Sequence, residues 1–188
     1  MILGIDPSLN GTALVLLRKD LTLEYLKIGQ RTGGPPDPKL LDIHTKVKDF
    51  IEGEAIELCA FEGPSLGSTS KKHLLGQVAG VLRLAVITAG IPILTIPPRS
   101  MKLAIAGTGS APKEQVAESV ATTVKSELPK DTDVTDAAGL ALLGLYFLCR
   151  QKKETLDSPI TRACLETCIT LEKTKEHKGL MAVLSEEN

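Results

Sequence analysis

The chain has 188 residues, of which 43% are hydrophobic and 24% are charged, which is typical of one ordinary globular domain. Lysine and arginine number 22 against 23 aspartate and glutamate, so the net charge of −1 excludes a strongly basic nucleic-acid coat protein. An enzyme that acts on nucleic acid is not excluded, because a cluster of acids with its metal ions can lie beside local basic patches.

The four cysteines, at positions 59, 149, 164 and 168, predict reduced thiols in a cytoplasmic protein. Cys164 and Cys168 have the spacing of one helical face, but no second pair or histidine with zinc-site spacing accompanies them. The first predicted strand begins at Ile2, so no signal peptide is expected ahead of it. No apolar stretch reaches about 18 uninterrupted residues, so no membrane span is expected.

Apolar runs and turn formers predict an α/β domain over residues 1–150. Strands over 2–5, 12–17 and 21–28 form an antiparallel meander, and a helix over 39–52 and strands over 55–61 and 91–96 follow. Further helices are predicted over 74–90, 99–106, 111–126 (with Ser110 as a cap) and 134–150, and a basic loop over 66–72. Residues 151–188 are predicted to be an extension with one helix, over 159–173, and a polar tail.

Two predicted strands end at a carboxylate that is followed by turn-forming residues: Asp6 before Pro7, and Glu62 before Gly63. The intervening helix favours a crossover onto a parallel neighbour, which would place both acids at the same edge of the sheet. Asp6 taken alone leaves two roles open. It would either cap a turn, as Asp before Pro commonly does, or lie buried with a partner or a metal ion.

A second pair of acids, Asp133 and Asp136, is spaced by three residues at the start of an apolar helix, which puts both side chains on one helical face. Capping explains Asp133 alone, but Asp136 lies within the apolar, sheet-packing part of the sequence. Like charges brought close together need cations among them, and carboxylate oxygens suit Mg²⁺ or Mn²⁺. This donor set favours the two-metal arrangement that hydrolyses phosphodiesters.

Four segments, taken in order, resemble the RuvC family of Holliday junction resolvases over about residues 1–150. They are Ile-Leu-Gly-Ile-Asp6-Pro-Ser, Ala-Phe-Glu62, Ala-Gly-Thr-Gly-Ser-Ala-Pro-Lys113-Glu-Gln-Val and Asp133-Val-Thr-Asp136-Ala-Ala. The resemblance implies an RNase H-like fold, of the ribonuclease H and retroviral integrase superfamily, with a five-stranded mixed sheet flanked by helices. It also implies a homodimeric endonuclease, with two Mg²⁺ ions per site (Mn²⁺ substituting) and no nucleotide cofactor, that cuts paired strands of four-way DNA junctions.

By the same resemblance, the four acids are the catalytic and metal-binding residues, and Lys102 and Lys113 occupy basic positions near the DNA backbone, Lys102 being also catalytic. Lys71, Lys72 and Arg99 are added as DNA contacts from their charge and from their predicted place in or near loops. Without the resemblance, solvated surface charges would be the favoured interpretation of Lys102 and Lys113.

Two departures from the family pattern are visible. Ser8 stands where bacterial members have glycine, and the residues after Glu62, Gly63-Pro64-Ser65-Leu66, include no aromatic side chain to stack on junction bases. Both departures resemble phage-encoded relatives, so a phage-type enzyme that processes branched DNA broadly, in the host cytoplasm, is expected.

Parts of the sequence are also compatible with three other functions. The Gly-Ile-Asp-Pro-Ser segment also resembles the phosphate loop of actin-like ATPases, but those need two such domains and a second phosphate loop. An RNase H-like nuclease acting on RNA would keep the acids and change the substrate. A non-catalytic junction-binding protein would need no metal, and four acids in the expected order argue against it.

Overall fold

The computed structural model describes residues 1–8, 11–29, 36–64, 69–155 and 162–174. Its central feature is a five-stranded sheet in the order β3-β2-β1-β4-β5. The strands are β1 (Ile2–Asp6), β2 (Gly11–Leu17), β3 (Leu23–Gly29), β4 (Leu58–Glu62) and β5 (Ile93–Ile96). The helices are α1 (Pro36–Ile51), α2 (Thr69–Thr88), α3 (Pro98–Ala106), α4 (Lys113–Ala121), α5 (Thr132–Lys152) and α6 (Arg162–Glu172).

The sheet is mixed, as the sequence predicted. β1 pairs antiparallel with β2, which pairs antiparallel with β3, so the predicted meander is confirmed. β1 also pairs in parallel with β4, and β4 with β5. Every residue of β1 and β2 is buried, which explains why these strands are nearly continuous apolar runs.

Each face of the sheet has its own core, because successive side chains of a strand point to opposite faces. Ile2, Leu58 and Ala60 lie in the cluster that includes the buried residues of α5. Leu3, Ile5 and their neighbours on β4 lie in the cluster formed with α1 and α2. Asp6 and Glu62 share the parity of Ile2 and Leu58, so both belong to the face that α5 covers.

Helix α5 lies very close to β1, and a glycine makes this possible. A Cβ atom at Gly4 would come within 2.1 Å of the Ala137 carbonyl oxygen and 2.9 Å of the Ala141 Cβ. Gly144 makes a second close approach, since its Cβ would fall 2.9 Å from the Cβ of Ala60. The absence of side chains at these two points sets the distance between helix and sheet, and therefore the height of Asp136 above β1.

Helix α5 is also long and apolar enough to cross a membrane by length and composition alone, although 89% of its most apolar 18-residue window is buried inside the protein. This burial accounts for its apolar sequence as that of a core helix. Beyond α5, Cys164, Cys168 and Leu171 of α6 join the same core cluster, and α6 packs against α3 and α5. The four cysteines are buried, and none of them forms a disulfide.

Several predicted boundaries were wrong. The helix expected from residue 74 begins at Thr69, so Lys71 and Lys72 lie in the first turns of α2 and not in a loop. The helix expected over 111–126 is shorter, and its cap is Pro112, without a side-chain hydrogen bond, in place of Ser110. The helix expected from 134 begins at Thr132, so it includes Asp133. β4 begins at Leu58, three residues after the predicted start.

Candidate active site

The two strand-end acids lie side by side. The parallel register pairs Ile5 with Phe61, and the next residues along the strands are Asp6 and Glu62. Their side chains are hydrogen-bonded to each other, with the protonated Asp6 carboxyl donating to the Glu62 carboxylate. The predicted meeting of these two acids at one edge of the sheet is therefore observed.

Burial is the main cause that raises the pKa of Asp6, and it does so together with the neighbouring charges of Glu62, Asp136 and Asp133, to about 9. Burial likewise raises the pKa of Glu62, although the charges of Lys113 and Lys102 oppose it. Without a cation the pair therefore retains a shared proton at neutral pH, as expected for buried carboxylates in contact.

Helix α5 brings the other two acids to this edge. Its N-cap is Asp131, whose carboxylate accepts a hydrogen bond of 2.9 Å from the Asp133 backbone amide. Asp136 lies one turn further along, only 7% exposed, beneath the helix and near Asp6. Its Oδ1 is buried and has no hydrogen-bond partner among the described residues. A buried carboxylate oxygen left in this state is costly unless a cation approaches it.

Lysines occupy the remaining space between the acids. Lys113, at the start of α4, lies 3.1 Å from Asp136 Oδ2 and 3.4 Å from Asp133 Oδ1. Burial lowers the pKa of Lys113, but the charges of Asp136 and Asp133 outweigh it, so the net shift is upward. Lys27 of β3 bonds to Asp133 from the other side, at 2.6 Å to Oδ2. Asp133 is therefore paired with two lysines. The two acids whose carboxyl groups contact each other are Asp6 and Glu62.

In the part of the chain that the structure describes, no three acid, cysteine or histidine side chains converge closely enough to form a ready metal cage. The residues nevertheless fit cations. Asp136 offers an unpartnered buried oxygen, Asp6 and Glu62 offer a proton-sharing pair, and all are hard oxygen ligands of the kind that Mg²⁺ and Mn²⁺ take. Two of the predicted acids are paired with ammonium groups: Asp133 with Lys27 and Lys113, and Asp136 with Lys113.

The remaining predicted basic residues have different surroundings. Lys102 is half-buried on α3 and donates to the Ala111 carbonyl oxygen at 2.8 Å, close enough for its charge to act on Glu62. Arg99 is exposed in the first turn of α3, where its side chain lies against Gly109. The side chains of Lys71 and Lys72 lie outside the described residues.

Two further residues of this network were missed from the sequence. Asp131 had a signal, since it is an acid three residues before the predicted helix start at 134, and aspartate is a good N-cap. Lys27 had none, because it lies more than 100 residues from its partners and strand alternation alone does not show what its side chain reaches.

A cavity of about 390 Å³ opens beside Glu62, between β4 and α2. Phe61 lies on its wall, covered by the Arg83 guanidinium at 4.5 Å from the ring centroid, and Pro7 and Pro64 lie at its rim. Apart from Phe61, the described side chains that line it are aliphatic, small or charged, and the sequence after Glu62 likewise has no aromatic residue.

The sequence profile of the crossover junction endodeoxyribonuclease RuvC matches residues 2–143. The chain belongs to the RuvC family. The RuvC of Moorella thermoacetica is 35% identical over 160 residues, 82% of this chain and 96% of that protein. The RuvC of Chlorobium phaeovibrioides is 45% identical over 154 residues, 77% and 80% of the respective chains.

Solved structures of RuvC share the fold. The Thermus thermophilus RuvC structure superposes with a TM-score of 0.66 at 23% identity, covering 85% of this chain and 99% of that one. T. thermophilus RuvC in complex with Holliday junction substrate gives 0.67 at 24% identity, with 85% and 98% covered. The RNase H-like fold predicted from the sequence is therefore confirmed. RuvC enzymes are metal-dependent crossover junction endodeoxyribonucleases.

Proposed function

We propose that the protein is a structure-selective endonuclease that resolves four-way DNA junctions by metal-dependent hydrolysis of phosphodiester bonds. One observation carries the proposal: Asp6 and Glu62 lie side by side at the carboxyl edge of the sheet, and Asp136 and Asp133 lie close enough for their charges to act on Asp6. The T. thermophilus relative binds a Holliday junction, which supports the same substrate class here. Other branched DNA is an expected further substrate, in recombination, repair or phage DNA processing.

In this proposal the four acids hold two Mg²⁺ ions, for which Mn²⁺ substitutes. Bound there, the ions would supply a reactive water and stabilise the leaving oxygen. The chain's own residues prepare for this. Asp6 would release its proton when a cation binds, and the buried Asp136 Oδ1 would gain a partner. Lys113 is placed to exchange its carboxylate partners for a phosphate oxygen of the DNA.

The basic residues complete the proposed site. Lys102, with its ammonium held by the Ala111 carbonyl and near Glu62, is proposed to act at the scissile phosphate as a catalytic residue. Arg99 on the same helix, with Lys71 and Lys72 of α2, is proposed to contact the DNA backbone. No nucleotide cofactor or membrane is part of the proposal.

We also propose that two copies act together. Helix α2 carries exposed apolar residues, Leu84 at 55% and Ile87 at 61%, on the side facing away from its own core. Gly76 and Gly80 of the same helix have open space where a side chain would be. A smooth apolar helix face fits a second copy of itself, and a two-fold dimer presents two sites to the two opposed strands of a junction.

The remaining predictions from the sequence stay predictions. They are the cytoplasmic location, the phage origin and the division into a nuclease domain over 1–150 and an extension over 151–188. The extension is not independent of the nuclease core in its packing. Cys164 and Cys168 pack into the cluster that contains β1 residues, so α6 is expected to melt together with the nuclease core.

The deciding experiment is nicking of a labelled synthetic four-way junction, with linear duplex as the control substrate, in Mg²⁺ or EDTA. The wild type is expected to cut opposed strands symmetrically only with the metal, and Asp6→Asn to lose cutting by at least about 100-fold while still binding the junction. Junction binding without cutting would favour the non-catalytic alternative, and cutting of RNA–DNA hybrids alone would favour the RNase alternative.

A further inference from the structure

Lys27 reaches the candidate active site from the edge strand of the sheet. Its ammonium donates to Asp131 Oδ1 at 2.8 Å and to Asp133 Oδ2 at 2.6 Å. The same Asp131 oxygen accepts from the Asp133 backbone amide. Asp133 is therefore held twice at the start of α5, by its amide through Asp131 and by its carboxylate through Lys27.

The path of the lysine across the sheet depends on Gly11. Lys27 pairs with Ala13 on β2, and its side chain runs along the strand over Gly11. A Cβ atom at Gly11 would fall 2.7 Å from Lys27 Cε and 3.7 Å from its Nζ. Because the atom it would meet is the flexible end of a lysine, a methyl group there displaces the ammonium and leaves the strand pairing in place.

The two oxygens of Asp133 have unequal partners. Oδ2 is bound tightly by Lys27, whereas Oδ1 lies 3.4 Å from the Lys113 ammonium. Lys113 is also 3.1 Å from Asp136 Oδ2, so Oδ1 is on the side of Asp136. Because Lys27 binds Oδ2, Asp133 Oδ1, which faces the other acids, can exchange its weak contact with Lys113 for a cation.

We propose that Lys27 is a positioning residue: it fixes Oδ2 of Asp133, so that Oδ1 of the same carboxylate is turned towards Asp136 for cation binding. The inference rests on the proposed function of the acids. Removing a group that hydrogen-bonds to a metal ligand commonly weakens metal affinity by about 10–100-fold. Charge alone acts in the opposite direction, because removing a nearby ammonium makes the site more attractive to a cation. The sign of the effect therefore separates positioning from simple repulsion.

The test measures Mn²⁺ binding by the DNA-free protein, from the paramagnetic resonance signal of the free ion. Lys27→Met is expected to weaken binding about 10-fold or more, and Lys27→Arg, which keeps a donor on Asp133, to restore most of it. Gly11→Ala retains the charge but displaces the ammonium, so it is expected to weaken binding in the same direction. Unchanged or tighter binding in Lys27→Met would overturn the proposal.

Two controls isolate the contact. Lys46 makes a comparable 2.7 Å ion pair with Asp42 on α1, so Lys46→Met removes a lysine–aspartate pair elsewhere and should leave Mn²⁺ affinity unchanged. In an Asp133→Asn background the effect of Lys27→Met should vanish, because the lysine acts through that carboxylate. If it persists, Lys27 does not act through Asp133. Because no DNA is present, these outcomes are independent of whether the wild type cuts junctions.

Discussion

Asp6 combines burial with contact to another acid, and this combination makes its protonation state the main electrostatic feature of the site. The carboxyl is only 7% exposed, and Glu62, Asp136 and Asp133 all add negative charge around it. Its pKa is raised from 3.8 to about 9 as a result, chiefly through burial. In the metal-free protein the folded state therefore binds a proton at neutral pH that the unfolded chain releases.

This linkage gives the metal-free protein a pH-dependent stability. The pKa of Asp6 is raised on folding. Its contribution to the free energy of unfolding is therefore fully present below about pH 4 and is lost as the pH rises towards 9. Asp6→Asn removes this titration. In EDTA, urea unfolding at pH 5, 7 and 9 should show a free energy of unfolding that falls more steeply in the wild type than in Asp6→Asn.

At pH 8 the variant should be the more stable of the two, with a melting temperature higher by about 2 °C or more. The difference between the two proteins reports Asp6 together with Glu62, the carboxyl that shares its proton. Parallel stability curves across this pH range would show that Asp6 is ionised in the metal-free protein.

Among the structural elements, α5 contributes most to the site, since it supplies Asp133 and Asp136 and packs directly on β1. Gly4 allows α5 to approach β1 closely, because its missing side chain leaves room for the backbone of α5. The two pairs of acids come from distant parts of the sequence. Their separation therefore depends on how closely α5 approaches the sheet, at Gly4 and again at Gly144.

Gly4→Ala should disturb both stability and activity. The added methyl would lie 2.1 Å from a backbone oxygen that has little freedom to move, so we expect a loss near the upper end of the roughly 1–3 kcal/mol typical of overpacking. Junction nicking should fall further than stability explains, because α5 shifts relative to β1. The measurements are urea unfolding and junction nicking at a temperature where the variant is folded.

Gly29→Ala is the matched control, because a Cβ there meets nothing within 4 Å. Its stability should be unchanged or slightly higher, since alanine restricts the unfolded chain more than glycine does. Wild-type nicking in Gly4→Ala, or a loss in Gly29→Ala as large as in Gly4→Ala, would contradict the role assigned to the helix–strand contact.

The sequence predicted the elements of the site better than their contacts. Asp6 and Glu62 were predictable because an apolar strand that ends in a carboxylate is a local pattern, and the parallel crossover then places the two ends together. The ion pairs of Asp133 were not, since Lys27 is more than 100 residues away. The start of α2 was missed because Ser68-Thr69-Ser70 resembles a loop in composition, although the helix already begins at Thr69.

At the scale of the whole molecule, the two faces of the sheet have different environments. The α5 face is covered in addition by α3, α4 and α6, whose buried residues join one large cluster. The opposite face is covered by α1 and α2, and α2 leaves Leu84 and Ile87 exposed. Neighbouring exposed apolar side chains on one helix are typical of an interaction surface. This asymmetry underlies the proposed dimer.

Replacing the two most exposed large apolar side chains of α2, as Leu84→Glu with Ile87→Glu, should therefore separate the dimer without unfolding the protein. Light scattering after size exclusion should give twice the 20.0 kDa chain mass for the wild type and the single mass for the variant. Leu165→Glu, on α6 at the other face, is the control and should stay dimeric. On a four-way junction, the monomeric variant should nick one strand at a time. The nicks in the two opposed strands should no longer be coupled, because each active site then acts alone. A wild type that is monomeric when bound to the junction, or a variant whose nicks remain paired, would contradict the assignment of α2 as the dimer interface.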